Sequence, residues 1–325
     1  MLSTQQVRRA AACAVRAPSL HNTQPWLFTQ VGDTVHVRAD RERWLKHEDP
    51  LGRELLMSCG GSLRHLVLGL RCESLELRTD LLPDPEDPDL VAVVTVVGDL
   101  PPTLVEMELR EAARVRHTDR SAFAPEPVSP GILDRLRRIV EAEGCVLDVL
   151  DEDDILQLSV LTGRADRILG GDAALSTEQD GWTSALENPT EGVPAQALPD
   201  HGRQRGSSVP LRDFHSAAEP PPTNRSTQEP PPAEHPTLLV LGSMTDDWRA
   251  WISAGWTLTD VLLTLTSLGL VSSPISQPLE IPALRTRLQT ALGMQSHPQL
   301  VLRVGHPSGS GSPATGRRPV SEVLC

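Results

Sequence analysis

The chain has 325 residues, a net charge of −13 and a pI near 5.2, enough length for one large domain or two ordinary ones. That charge excludes the basic footprint a nucleic-acid binder needs, and it opposes attachment to an anionic membrane surface. Five scattered cysteines with no Cys-x-x-Cys spacing exclude a legible zinc or dithiol motif and suit a reducing, cytoplasmic setting.

In chain order, a first helix opens at Ser3, whose capping box with Gln6 satisfies two free backbone N–H groups, and it ends before Pro18. Residues 26–31 and 34–39 read as strands around a Gly32-Asp33 turn. Asp49-Pro50 reads as an N-cap and a first-turn proline. The helix that follows carries Leu55, Leu56, Cys59, Leu63, Leu66, Val67 and Leu70 at helical spacing. The β-branched run 90–97 predicts a strand buried on both faces. Thr103 with Glu106 boxes a helix to about Arg116, and Ser129-Pro130 opens another. Residues 145–150 read as a strand and 153–169 as a helix. Residues 237–241 form a strand, and Thr245 caps a long helix that Gly269 ends. Pro282 starts a short helix, and 300–304 is the last strand. The apolar run 258–271 is too short and too polar to span a bilayer, which leaves a buried helix.

Two pieces match. Ser58-Cys59-Gly60-Gly61-Ser62-Leu63 and Ser253-Ala254-Gly255-Trp256-Thr257-Leu258 share Ser-x-Gly-x-Ser/Thr-Leu, and each is followed after two residues by three aliphatics. Each half later closes a strand on Val-Gly, at Val97-Gly98 and Val304-Gly305. The pattern reads as an internal duplication, or as two helices reusing small residues for close packing. Residues 183–236 differ: they hold 11 of the 29 prolines and no helical or strand period, as a lid or a disordered linker would. Trp182, just before them, with Gly192-Val193-Pro194 and Arg212-Asp213-Phe214 could dock as a lid, and 217–235 reads as a polyproline or disordered strip.

Three segments carry candidate chemistry. In 17–26, Pro18 ends a helix, and Ser19, Asn22 and Gln24 bring donors and acceptors into a tight turn, suited to a flat heterocycle or simply an Asn- and Pro-rich turn. In 114–120, Arg114, Arg116, Thr118 and Arg120 offer planar donor forks that fit phosphate, or a solvated basic helix end. Arg317-Arg318 stand in a basic tail on an acidic chain. No G-x-G-x-x-G, Walker A or G-x-S-x-G motif occurs, and Gly309-Ser310-Gly311 reads as a flexible connection to Arg317. His21 and His117 sit in these motifs and read first as hydrogen-bonding structural residues; no catalytic acid, nucleophile or metal ligand is named.

The Ala-Pro-Ser-x-x-Asn-x-Gln-Pro-Trp pattern beginning at Ala17 resembles the flavin-edge motif of FMN-dependent nitroreductases. Arg114 to Arg120 leading to Phe123 resembles the phosphate motif of the same superfamily. The motifs stand in swapped order, which fits two subunits fused in one chain, each half keeping what the other lost. The set Asp49-Pro50-x-Gly52-Arg53-Glu54-Leu55, Gly192-Val193-Pro194, Arg212-Asp213-Phe214, Gln277-Pro278-x-Glu280, Pro298-Gln299 with Arg303 and Gly305, and Arg317-Arg318-Pro319-Val320 resembles the Acg branch over 11–324. Two departures stand out: the chain has no tyrosine, and His306 follows Gly305 where relatives carry Gly-Tyr.

The resemblance implies an α+β, nitroreductase-like sandwich with a mixed central sheet carrying 90–97 and 300–304. It implies halves at 1–100 and 101–325, a lid insertion at about 176–236, and two long helices, 53–70 and 246–268, packed along a pseudo-twofold. It implies FMN bound by Pro18, Ser19, Leu20, Asn22 and Gln24 at the ring, by Arg116, His117 and Thr118 at the phosphate, by Arg120 at the N1/O2 edge, and by Arg317 and Arg318 closing over. NADPH or NADH would be reductant, and a nitroarene, quinone or enone the acceptor in a ping-pong sequence. The alternatives are FMN sequestration without turnover and a flavin dehydrogenase of a metabolite or peptide. A monomer or weak homodimer is expected, since fusion already supplies the usual dimer.

Overall fold

The computed structural model describes residues 1–184, 190–194, 197, 236–309 and 311–325. Arg212-Asp213-Phe214, the strip 217–235 and Ser310 lie outside the described residues.

Local chemistry sets the first elements. α1 (Thr4–Ala14) starts on the Ser3/Gln6 capping box. β1 (Trp26–Val31) and β2 (Thr34–Ala39) form an antiparallel hairpin through Gly32 at φ +58°. α2 (Arg53–Arg71) is buried along almost its whole length. It begins later than the Asp49-Pro50 signal indicates: its N-cap is Gly52, at φ +73°. Asp49 still serves the helix from outside, its carboxylate accepting the Leu55 N–H at 2.8 Å, one of the donors a helix start leaves open. β3 (Leu75–Leu81) and β4 (Leu90–Asp99) complete a sheet of order β1-β2-β4-β3. β4 is less buried than its apolar run implies. Leu90, Val91, Ala92 and Val94 are buried, but Val97 is 52% exposed, because past Ala92 one face looks outward.

The second half repeats the plan. α3 (Leu104–Val115) has its Thr103/Glu106 capping box, α4 (Pro130–Ala142) follows Ser129, and β5 (Cys145–Val149) precedes α5 (Glu152–Leu169). α6 (Ala173–Trp182) leads to β6 (Thr183–Ser184), which pairs in parallel with β7 (Val193–Pro194). β8 (Thr237–Ser243) runs toward α7 (Trp248–Ser267), whose N-cap is Asp247 rather than Thr245. The Asp247 carboxylate accepts the Ala250 N–H at 2.9 Å, whereas the Thr245 carbonyl takes the Ser243 hydroxyl. Gly269, at φ +75°, stops the helix as expected. β9 (Val271–Ile275), α8 (Gln277–Glu280), α9 (Pro282–Ala291), β10 (His297–Gly305) and α10 (Val320–Val323) finish the chain.

The fold is α+β, but the strands of the two halves do not share one mixed sheet. They form two four-stranded antiparallel sheets, β1-β2-β4-β3 and β5-β8-β10-β9. Each half's strands pair only with one another, and the buried helices α2 and α7 pack each on its own half's strands and on one another. A Cβ on Gly60 would meet the Ile252 carbonyl oxygen at 2.1 Å, and one on Gly255 the Met57 carbonyl oxygen at 1.9 Å. Glycine is therefore required at the crossing, as the matched motifs imply. The principal core cluster runs through both halves, from Val7, Trp26 and Phe28 through Leu63 and Leu66 to Val261, Leu302 and Val304. The C-terminus crosses back: Leu324 forms a parallel bridge to Phe28 of β1, and the Cys325 N–H donates to the Phe28 carbonyl at 2.9 Å. Among the described residues no helix is long and apolar enough to cross a membrane.

Candidate functional site

A cavity of about 990 Å³ of empty space, part of it open to solvent, lies where the helix crossing meets the 18–21 loop. One side carries Pro18, Ser19, Leu20 and His21; α2 contributes Glu54, Ser58 and Gly61. The second half contributes Thr118 and Arg120, Leu258 of α7, and Ser273, Pro274, Ser276 and Gln277 around the end of β9. Both halves contribute to the one cavity.

The 18–24 loop is strained into place. His21, Asn22 and Gln24 have φ of +45°, +58° and +52°, a left-handed conformation that non-glycine residues rarely adopt. Buried hydrogen bonds hold it. His21 Nε2 stands 2.7 Å from a Glu48 carboxylate oxygen, both side chains buried. Asn22 Nδ2 donates to the carbonyls of Gly192 and Gly316, and its Oδ1 accepts from Arg317 at 3.0 Å. Gln24, with no exposure, donates to the Thr190 carbonyl at 2.7 Å and accepts the Arg318 N–H at 2.8 Å. Asn22 and Gln24 thus clamp three distant segments together, the motif loop, 190–192 and the tail, and neither lines the cavity.

Sequence-selected residues divide accordingly. Pro18, Ser19, Leu20, Thr118 and Arg120 line the cavity. His117 does not; its Nδ1 lies 3.0 Å from the Val115 carbonyl oxygen. Arg318 is buried and bonded to the carbonyls of Gln24 and Glu322, with Asp40 at 3.5 Å, so it acts as an anchor of the tail.

Arg116 and Arg317 stand differently. Arg116, the C-cap of α3, is buried; its Nη2 donates to the Arg16 carbonyl at 2.9 Å, and its Nε has no partner. Arg317 Nη1 donates to Asn22, Thr315 and Gly316, and its Nε also lacks a partner. Neither makes an ion pair among the described residues. Burial pushes Arg317 down to about 9, the charges of Arg116 and Arg16 adding to it, and burial alone pushes Arg116 down to about 10. Two guanidiniums 201 positions apart in the chain thus stand close enough to repel each other, without an ion-pair partner among the described residues, and Arg116 is two residues from Thr118 in the cavity wall. A buried uncompensated cation is costly. Neither arginine lines the cavity itself.

Residues beyond the sequence reading also shape the site. Glu54, in the cavity wall, is paired with Arg53, whose Nη1 donates to the Gln299 carbonyl at 2.5 Å. Gln299 donates to the Ser243 hydroxyl and to Asp246, and the Asp246 carboxylate takes Arg285 through two 2.7 Å bonds. Although burial opposes it, the hydrogen bonds from Arg285 and Trp251 hold Asp246 well below the usual carboxylate range. Arg53, Glu54 and Gln299 belong to the quoted motif set, but nothing local in the sequence joins them. Over the loop 41–48, Arg43 pairs with Glu191 at 2.6 Å, and Glu178 of α6 accepts the N–H groups of His47 and Glu48.

No protein-family model matches the chain. It is 30% identical, over 343 residues, to a Mycobacterium tuberculosis H37Rv protein named "Putative NAD(P)H nitroreductase", with 98% of this chain and 91% of the relative aligned. It is also 30% identical, over 330 residues, to "Putative NAD(P)H nitroreductase acg" of the same organism, across 100% of this chain and 96% of the relative. Among solved structures, an "FMN and NADPH-dependent nitroreductase NfnB" from Sphigopyxis sp. strain HMH aligns with 67% of this chain and 97% of its own, at 17% identity and a TM-score of 0.40.

Proposed function

This chain belongs to the NAD(P)H nitroreductase family of its mycobacterial relatives, and from that premise we propose that it is an FMN-dependent oxidoreductase whose single cofactor site lies between two fused halves, 1–100 and 101–325. The observation that carries the reading is the Arg116–Arg317 pair: Arg116 buried and Arg317 half-buried, neither ion-paired among the described residues, with Arg116 two residues along the chain from Thr118 of the cavity wall. A phosphate monoester is the anion whose geometry and charge fit two guanidinium forks.

Arg116 and Arg317 would hold the phosphate, with Thr118 beside it. Pro18, Ser19 and Leu20 would face the ring, and Arg120 would bring positive charge to the cavity wall. Asn22, Gln24 and Arg318 support this site by fixing the loop and the tail. When bound, FMN supplies hydride acceptance from NADPH or NADH and two-electron delivery to a nitroarene, quinone or enone in a ping-pong sequence. The protein's part is to orient, to exclude water and to neutralise charge. The contacts of 190–192 with Asn22 and Gln24 favour a second reading, in which that segment covers the site and the chain sequesters FMN with little turnover.

Titration of flavin fluorescence with the protein tests the site. FMN should bind at least tenfold more tightly than riboflavin, since only FMN carries the phosphate. Equal affinity for the two would overturn the assignment of the arginine pair.

A further inference from the structure

Part of the cavity lining has no role in holding the cofactor. Glu54 and Ser58 stand one turn apart on the same face of α2, and both line the cavity. Glu54 is 7% exposed. One of its carboxylate oxygens takes Arg53 Nη2; the other accepts no hydrogen bond among the described residues and is not enclosed. The Ser58 hydroxyl spends its only proton on the Glu54 carbonyl at 2.7 Å, so its oxygen has only lone pairs left to offer. Gln277 of α8 lines the same cavity and is 2% exposed. Its side chain makes no hydrogen bond among the described residues: Nε2 is enclosed without a partner, which leaves Oε1 as the amide atom within a ligand's reach. Burying an unbonded amide is costly until a ligand completes it.

Charge narrows what that ligand is. The lining holds one carboxylate, Glu54, and one guanidinium, Arg120. Arg120 suits the anionic cofactor; Glu54 suits a ligand of opposite charge. Glu54 also borders a smaller cleft with Glu48, Asp49 and Glu280, against Arg53 and Arg285, and Arg285 is committed to Asp246 through two bonds. The field here is therefore negative, and it is felt locally: after burial, the charge of Glu54 is the next cause that raises Asp49. The whole chain, at −13, adds a long-range pull on cations. Three acceptors in a negative field match a protonated amine, which brings positive charge and three N–H donors. A hydroxyl satisfies one of them, and a carboxylate is repelled.

We propose that Glu54, Ser58 and Gln277 bind a protonated amino group of the reducible substrate, so that the electron acceptor is a nitroarene, quinone or enone bearing an ammonium substituent. That the ligand is a substrate rests on the FMN-dependent reading; that it binds here rests on the cavity wall. The three residues set affinity and specificity, and no electron or proton passes through them.

The test is isothermal titration calorimetry of the FMN-reconstituted protein with three probes of one shape: 4-nitrobenzylammonium, 4-nitrobenzyl alcohol and 4-nitrobenzoate. The ammonium should bind about tenfold more tightly than the alcohol, the worth of one charge-assisted hydrogen bond, and the benzoate more weakly than either. Glu54→Gln, which keeps the shape and removes the charge, should erase the ammonium-to-alcohol ratio. Ser58→Ala, a milder change within the helix, should cut it about threefold. Each ratio compares ligands on the same folded protein, so a general loss of stability does not move it. The preference should survive about 0.5 M salt, because a buried contact is screened far less than an exposed one. A preference that vanishes in that salt and is untouched by Glu54→Gln comes from net charge alone and overturns the proposal. Equal affinity for the ammonium and the alcohol, or a preference for the benzoate, overturns it too. Failure to hold FMN would defeat the cofactor reading, and the same titration of the flavin-free chain would then still read this wall. A protein that holds FMN and shows no preference would defeat this inference alone.

Discussion

Gly255→Ala is expected to be among the most damaging single-methyl additions in the molecule. The new Cβ would stand 1.9 Å from the Met57 carbonyl oxygen and 2.7 Å from its carbon, where ordinary contact begins at 3.4 Å. The obstructing atoms are main chain, so no side chain can rotate away; α2 and α7 must part locally by about 1.5 Å. Overpacking of this kind costs about 1–3 kcal/mol, and an immovable neighbour places it at about 3 or above. Better helix propensity returns only about 1 kcal/mol, so the net loss is about 2 kcal/mol or more. Gly163→Ala is the internal control. It sits in α5 with no atom within 4 Å of its would-be Cβ, and it should gain about 0.5–1 kcal/mol. Urea denaturation followed by circular dichroism measures both. Parting the helices also disturbs Gly61 and Leu258 in the cavity floor, so Gly255→Ala should weaken FMN binding. A Gly255→Ala protein as stable as the wild type, beside a stabilised Gly163→Ala, would refute the close crossing and with it the shape of the cavity.

Arg116→Met removes a buried cation that lacks an acidic partner; the apoprotein should unfold no earlier than wild type in urea, while FMN binds at least tenfold more weakly and riboflavin is unaffected. Asp49 is pushed up to about 7 by burial and then by the charge of Glu54. The folded chain therefore holds a proton there that the unfolded chain releases near about pH 4. This contribution is complete below that pH and is lost as pH rises to about 7. Asp49→Asn keeps an acceptor for the Leu55 N–H and should remove that slope. The wild-type-minus-variant difference in thermal midpoint isolates it from His65, whose lowered pKa gives a slope of the opposite sign. Gln24→Ala cuts the bonds to Thr190 and Arg318 at once; it should cost about 1–3 kcal/mol, and limited proteolysis should then cleave near 190 and 316 faster than in wild type.

Features governed by a few adjacent residues were legible in the sequence. The capping boxes at Ser3/Gln6 and Thr103/Glu106 and the Gly32 hairpin stand where the sequence places them, because each is a contest among neighbours within three or four positions. The glycines at the helix crossing were visible as a repeated motif, and their contact is what such a motif requires. What needed the fold was partner choice at a distance. Asp49 carries the polar signal of an N-cap, yet its carboxylate reaches Leu55 only because Gly52 turns the chain left-handed between them. β-branched runs announce strands but not which sheet they join. β3 and β9, the latter interrupted by Pro274, carry too few aliphatics to stand out.

The candidate site divides in the same way. The motif residues were found as a set, but their division into cavity wall (Ser19, Thr118, Arg120), a carboxylate-free arginine pair (Arg116, Arg317) and clamp (Asn22, Gln24, Arg318) depends on contacts across the chain.

The most direct measurement is a visible absorbance spectrum of the purified, FMN-reconstituted and desalted protein, before and after anaerobic addition of NADPH or NADH. A retained oxidised-flavin band is expected, bleaching on addition of the nicotinamide and returning when a quinone or nitroarene is supplied. A protein that keeps no flavin through desalting would contradict the central claim and leave the pair of Arg116 and Arg317 without its anion.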